Sequence, residues 1–211
     1  MSMTGVPEAV ALFASYVVGA TPFGFVAGKA RGIDIRDHGS GNIGATNVFR
    51  VLGKPVGITV FLLDLLKGLV PVLVTRWLAG TSDLAPILAG IGAIIGHNFT
   101  FWLRFRGGKG IATSAGALLA LLPVAMICGL AVWFVLFFAS RYVAVASIGA
   151  ALTVPIVTAI KDLHDLPMLV FSILISFLAI VRHRSNIQRL LAGTENRFER
   201  KSKQQNTSKK S

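Results

Sequence analysis

Residues 111–139 read IATSAGALLALLPVAMICGLAVWFVLFFA, an uncharged run interrupted by one proline, Pro123. A helix needs about 20 apolar residues to cross the hydrocarbon of a bilayer. The run is therefore too long for one ordinary crossing and short for two. Pro123 breaks it near the middle and suits a tight turn there. Whether this stretch counts as one span or two decides the topology of the whole chain.

Outward from it, further apolar runs mark candidate spans near 6–28, 55–79, 85–103, 143–160 and 166–181, with 111–123 and 124–139 as the divided pair. The composition agrees: 54% of the 211 residues are hydrophobic, 14% are charged and the mean hydropathy is +0.70, which is too apolar for a soluble domain. The first run lacks a basic leader and a clear small-residue cleavage site, so it is expected to be a retained span.

Charge settles the parity. The segments KARGIDIRDHG (29–39), RVLGK (50–54), RFRGGKG (104–110), SR (140–141) and RHRSNIQR (182–189) are basic, whereas MSMTGVPE (1–8), AGTSDL (79–84) and KDLHDL (161–166) are neutral or acidic. Seven crossings put every basic segment on one face, the cytoplasmic one, and leave the amino terminus outside. Six would export the basic carboxyl tail. The expected fold is an all-α, polytopic integral membrane protein of seven transmembrane helices. From Thr194 the chain lacks apolar residues to pack, so a flexible basic cytoplasmic tail is expected, with a membrane domain over 1–197 and the tail over 198–211.

The net charge of +12 is scattered in short clusters, with no basic domain to hold a duplex, so no nucleic acid is expected as partner. Membrane lipids and small phosphorylated anions suit it better. The single cysteine, Cys128, lies inside an apolar run and excludes a disulfide or a cysteine-rich metal site. No metal or cofactor motif is present, and nothing calls for an obligate protein partner.

Three polar stretches carry the chemistry. In HGSGNIGATNVFR (38–50), Ser40, Gly41, Asn42, Gly44, Thr46 and Asn47 have the make-up of an anion nest, with glycines that let backbone N–H groups converge and side chains that add donors. A helix starting near Ala45 would aim its N-terminus at the same pocket, and Arg50 would add a forked charge. The same residues also suit an ordinary helix cap with a snorkelling arginine. The second stretch, RFRGGKGIAT (104–113), sets Gly107, Gly108 and Gly110 around Lys109 and ends on Thr113. It lacks Walker A spacing, but a glycine loop carrying one ammonium suits a second phosphate. In the third, RHRSNIQRLLAGTENR (182–197), a continuing helix would put His183 and Asn186 on one face, with Arg182, Asn186 and Arg189 on an adjacent stripe. Glu195 would pair with an arginine and fix the segment.

Within the spans, Asp64 and Lys67 sit three apart near the middle of the second helix, where an unpaired charge costs roughly 2.5–3.5 kcal/mol. A structural ion pair removes most of that cost. His97 and Asn98 are expected to hydrogen-bond neighbouring helices.

In these three stretches the sequence resembles the bacterial acyl-phosphate:glycerol-3-phosphate acyltransferases, the PlsY type. The resemblance runs through Ser40-Gly-Asn-x-Gly-Ala-Thr-Asn-x-x-Arg50, Gly107-Gly-Lys-Gly-x-Ala-Thr113 and His183-x-x-Asn-x-x-Arg-Leu-x-x-Gly-x-Glu195. It implies a seven-helix enzyme of the bacterial cytoplasmic (inner) membrane, without cofactor. That enzyme moves a fatty acyl group from acyl phosphate to the 1-hydroxyl of glycerol 3-phosphate, giving lysophosphatidic acid and inorganic phosphate, the first acylation of phospholipid biosynthesis. By motif position, Ser40, Arg50, His183 and Asn186 are implied to be catalytic and Lys109 a glycerol-phosphate contact. The family often has serine where this chain has Ala144, so a contact from that segment passes to Ser147. The competing class is a transporter of a small organic anion, which needs polar residues along a continuous path. Beyond Asp64, Lys67, His97 and Asn98 these are sparse.

Overall fold

The computed structural model describes residues 7–79, 82, 84–161 and 163–198. They form ten α-helices and two short 3-10 turns: α1 Glu8–Gly19, α2 Phe23–Lys29, α3 Ala45–Leu52, α4 Lys54–Leu78, α5 Leu84–Asn98, α6 Ile111–Leu121, α7 Pro123–Ser140, α8 Val143–Lys161, α9 Leu166–Arg182 and α10 Arg184–Leu191. No strand occurs among the described residues.

Five helical stretches are long and apolar enough to cross a membrane: Glu8–Lys29, Lys54–Leu78, Leu84–Leu103, Pro123–Ser140 and Val143–Lys161. A sixth is the bent pair α9 and α10, whose axes differ by 51°. The protein is a multi-pass membrane protein, and its exposed side chains are those of a lipid-facing surface. Trp77 is 83% exposed and Ile160 80%, with Phe138, Val135 and Phe177 also open. Water would penalise that belt heavily, and lipid does not.

The run at 111–139 divides where the proline stands. α6 ends at Leu121, and α7 begins on Pro123, whose missing N–H costs nothing at a first helical position. α6 has only 11 residues, short for the hydrocarbon, and packs among the other helices instead of facing lipid along its length.

Helix packing relies on small residues, as expected where lipid is as apolar as the helix surface. Gly92 and Gly96 of α5 lie so close to the Leu12 and Tyr16 carbonyls of α1 that neither position has room for a methyl group. The core joins α5, α6, α8 and α9 through Ala89, Ile94, Ala117, Leu118, Val154 and Phe171. A second cluster, Ile35, Ile43, Val48, Val60 and Leu103, seats the 35–52 segment against α4. That seat fixes the first motif relative to the bundle.

Two expectations are corrected. The segment after Arg182 is not a continuing helix, because His183 adopts φ −93° and ψ 5° and the axis turns there. Residues 194–198 are not a loose tail. The Thr194 amide donates to the Arg189 carbonyl at 2.8 Å, the Phe198 amide donates to the Arg141 carbonyl at 3.0 Å, and the Phe198 ring packs on Phe49 and Phe137. Together these contacts dock the segment on the bundle. The remainder of the expected tail, 199–211, lies outside the described residues.

Candidate active site

The three motifs meet at one end of the bundle. A cavity of about 570 Å³ opens there between the start of α3, the first turns of α4, α6 and α8, and the last turns of α5, α7 and α9. Ser40, Asn42, Gly44, Thr46, Asn47 and Arg50 line it from the first motif, Lys109 and Gly110 from the second, and His183, Asn186 and Glu195 from the third. Ser147 lines it from α8 and accepts a hydrogen bond from the Trp133 indole at 3.2 Å. Below this polar mouth the walls turn apolar, with Phe61, Leu118, Met126, Leu130, Val154 and Ile175.

The first motif is held by its amides. Asn47 is buried, donates to the Ile35 and His38 carbonyls at 3.3 and 3.0 Å, and accepts from the Ser40 amide at 2.8 Å. Asn42 accepts from the Gly44 amide at 2.7 Å, and the Gly41 amide donates to the His38 carbonyl at 3.1 Å. Expected among the anion donors, the Asn47 side chain and the Gly41 amide are instead spent on the loop itself, and the Asn42 Oδ1 accepts within it. What remains for a ligand is the Ser40 hydroxyl, which has no hydrogen-bond partner among the described residues, together with the Ala45 and Thr46 amides at the start of α3; the Asn47 amide already donates to the Gly44 carbonyl at 3.0 Å.

The second motif is clamped, not free. The Gly107 and Gly108 amides donate to the Asn98 and His97 carbonyls, both at 3.1 Å, and neither glycine has room for a methyl group against His97 and Asn98. On the other side the Arg182 guanidinium donates to the Gly107 and Gly108 carbonyls at 2.7–3.1 Å. These glycines are therefore scaffold, whereas the sequence alone suggests a flexible grip. Thr113 is fully buried at the start of α6 and does not line the cavity. Lys109, carried between these brackets, donates to the Asn186 Oδ1.

In the third motif, Asn186 also donates to Glu195 at 2.8 Å, and Glu195 accepts from Arg189 at 2.7 Å. Arg189 thus binds Glu195 behind the cavity wall. His183 places Nδ1 at 2.8 Å from the Ala179 carbonyl. A carbonyl only accepts, so Nδ1 carries the proton and Nε2 is left without one in the neutral ring.

Burial pushes the Lys109 ammonium down to about 8; Glu195 pulls it back, while Arg189, Arg50 and Arg182 add to the lowering. Removal from water disfavours the charged form, and a nearby anion would restore it. Arg50, Lys109 and Arg189 thus share one carboxylate, Glu195, with Arg182 nearby, so the mouth holds excess positive charge.

Deeper in, Asp64 and Lys67 form an ion pair at 2.8 Å, and the Asp64 carboxylate lies 3.6 Å from His97 Nδ1. Asp64 and His97 reach the cavity wall; Lys67 does not, and donates to the Thr21 carbonyl at 2.7 Å. The Asn98 side chain has no hydrogen-bond partner among the described residues. His97, Trp133 and Phe198 line the cavity outside the three motifs. A histidine within a span is a visible signal for the first, but nothing in the sequence marks Phe198.

A family model described as glycerol-3-phosphate acyltransferase matches residues 9–193. The chain belongs to the glycerol-3-phosphate acyltransferase family. It is 42% identical to the glycerol-3-phosphate acyltransferase of Geotalea daltonii, over 92% of this chain and 98% of that one. Identity to the Geobacter metallireducens member is 48%, over 90% and 97%. Among solved structures, the family's integral membrane member PlsY (YgiH) in its glycerol 3-phosphate form superposes with a TM-score of 0.87 at 38% identity, covering 91% of this chain and 96% of that one. The lysophosphatidic acid form of the same protein gives 0.84.

Proposed function

We propose that the protein transfers a fatty acyl group from acyl phosphate to the 1-hydroxyl of glycerol 3-phosphate, releasing lysophosphatidic acid and inorganic phosphate at the cytoplasmic face of the bacterial inner membrane. The observation that carries this reading is the single cavity that combines a cationic mouth with an apolar lower part. That is the shape of a site for two phosphate headgroups and one acyl chain.

Acyl phosphate is a mixed anhydride, already activated for acyl transfer. The 1-hydroxyl attacks the acyl carbon, the bond from that carbon to the phosphate oxygen breaks, and phosphate leaves. Catalysis then needs orientation of the hydroxyl and neutralisation of charge on the departing phosphate. Arg50, the Ser40 hydroxyl and the Ala45 and Thr46 amides take the leaving phosphate. Lys109, held by Asn186, takes the phosphate of glycerol 3-phosphate. The hydroxyl proton passes to a phosphate oxygen of a substrate, because the His183 ring is aligned by a backbone carbonyl and not by a carboxylate that would raise its basicity. Ser147 borders the path of the chain.

We read the helices as seven crossings, which fits that placement. α4, α6 and α8 start at the cavity end and α5, α7 and α9 finish there, so α6 and α7 make a descending and an ascending pass, with α6 short. Lys29, Arg31, Arg50, Lys54, Arg104, Arg106, Lys109, Arg141 and Arg184 gather at this end, while Arg76 and Lys161 are at the other. By the positive-inside rule the cavity opens to the cytoplasm and the amino terminus lies outside. An anion-transport path would need polar groups onward to the far end, and the polar cluster stops at Asp64, Lys67 and His97.

The test uses purified protein in detergent, supplied with a long-chain acyl phosphate and glycerol 3-phosphate. Release of inorganic phosphate and lysophosphatidic acid in equal amounts is expected. Product formation from acyl-CoA but not from acyl phosphate would overturn the donor assignment.

A further inference from the structure

Arg50 is held in an unusual way for a half-buried arginine. It has no carboxylate within salt-bridge distance among the described residues. Its Nη2 donates to the Asn196 carbonyl at 3.2 Å, and its guanidinium carbon lies 4.7 Å from the centroid of the Phe198 ring. That ring is itself fixed: it stands 6.0 Å from Phe49 of α3 and 5.6 Å from Phe137 of α7. The backbone around it is tied by the Phe198 amide to Arg141 and by the Arg197 guanidinium to the Ser140 carbonyl at 3.2 Å. At its other end the strap is anchored by Glu195 on Asn186 and Arg189. Residues 195–198 therefore cross the cavity mouth and join α3 to the turn between α7 and α8.

We propose that Phe198 is a positioning residue for Arg50. The assignment rests on Arg50 being the cation that neutralises the departing phosphate. A carboxylate partner would orient the guanidinium by consuming the N–H edges that phosphate needs. An aromatic face attracts the cation through its ring quadrupole and leaves those edges free. The ring thus removes rotamer freedom from a long side chain on a short helix without competing for its donors. It also covers one side of the guanidinium, where water would screen its charge.

The experiment compares Phe198→Ala, Phe198→Leu and Phe198→Tyr with the parent protein and Arg50→Ala, all purified in the same detergent and checked for unchanged melting. Phe198→Ala and Phe198→Leu are expected to lower kcat roughly tenfold while the KM for glycerol 3-phosphate stays within about twofold, and Phe198→Tyr is expected to retain turnover. Equal activity of Leu and Tyr would reduce the ring to a space filler and overturn the proposal. So would full turnover by Phe198→Ala. If Phe198→Ala fails to fold, the Leu and Tyr pair decides. Normal turnover by Arg50→Ala would instead remove the role given to Arg50, and the two failures are read from different variants.

Discussion

Two lysines of this protein are shielded from water, and their surroundings differ in the one respect that matters for binding. Lys67, mid-span, has Asp64 at 2.8 Å, the Thr21 carbonyl at 2.7 Å and the Phe23 ring beneath it. Lys109, at the cavity mouth, is bonded to a neutral amide, Asn186. The first charge is answered within the fold. The second meets only Glu195, which Asn186 and Arg189 already hold, and arginines around it add to the excess. Burying a charge is costly in either place. At Lys67 the cost is offset by a partner that folding brings; at Lys109 it falls only when an anion arrives. Burial by itself therefore does not mark a site, whereas burial without a directly paired counter-charge does.

The strongest way to break this comparison is to remove cations or donors at the mouth. Arg50→Ala and Ser40→Ala are each expected to abolish transfer, a loss on the order of 10²–10³ or more, as when a donor to transition-state charge is deleted. Both proteins should still insert and fold, because no internal ion pair is lost, although Arg50→Ala gives up its contacts with Asn196 and Phe198. Normal turnover by purified Arg50→Ala would sink the neutralisation argument. Asp64→Asn should do the opposite. Leaving Lys67 buried without its partner costs about 3–5 kcal/mol, so the melting temperature in detergent falls, and Asp64→Leu with Lys67→Met recovers most of it. A parent-like melt for Asp64→Asn would show that the pair carries no such burden.

The same contrast explains what the sequence could disclose. Polar residues in an apolar chain stand out, so all three motifs and the Asp64–Lys67 pair were legible, as was the break at Pro123. Where each donor points was not. Asn47, Gly107 and Gly108 have the chemistry of ligand contacts, yet their groups are consumed by the Ile35, His38, His97 and Asn98 backbones, and only packing reveals that. The bend at His183 escaped because Arg182–Leu191 is a good helical sequence and the turn comes from one residue's backbone. Phe198 carries no local signal at all, since its meaning depends on Phe49 and Phe137, which are distant in the chain.

Removing the Lys109 charge itself is the gentler test. Lys109→Ala forfeits a charge-assisted hydrogen bond worth about 1.5–3 kcal/mol, so the KM for glycerol 3-phosphate is expected to rise roughly 10- to 100-fold with a smaller change in kcat. His183→Ala should cost less and leave the pH profile of kcat unchanged if the proton goes to substrate; a lost limb in that profile would make the imidazole the acceptor.

The smallest effect asks the same of Lys109 without a mutation. Burial sets this ammonium at about 8 in place of 10.5, so in the empty enzyme it is charged below that pH and neutral above it. The phosphate of glycerol 3-phosphate is already a dianion above about pH 6, so between pH 7 and 10 only the enzyme partner changes. kcat/KM reports the free enzyme, and it should hold below pH 8 and fall as pH climbs beyond it. Lys109→Arg keeps its charge throughout this range and should flatten the limb, even if its geometry lowers the plateau. A kcat/KM for glycerol 3-phosphate that stays level to pH 10 in the parent would mean either that Lys109 remains charged, and so has an acid partner after all, or that its charge does not meet the substrate. Either answer would erase the difference between the two lysines.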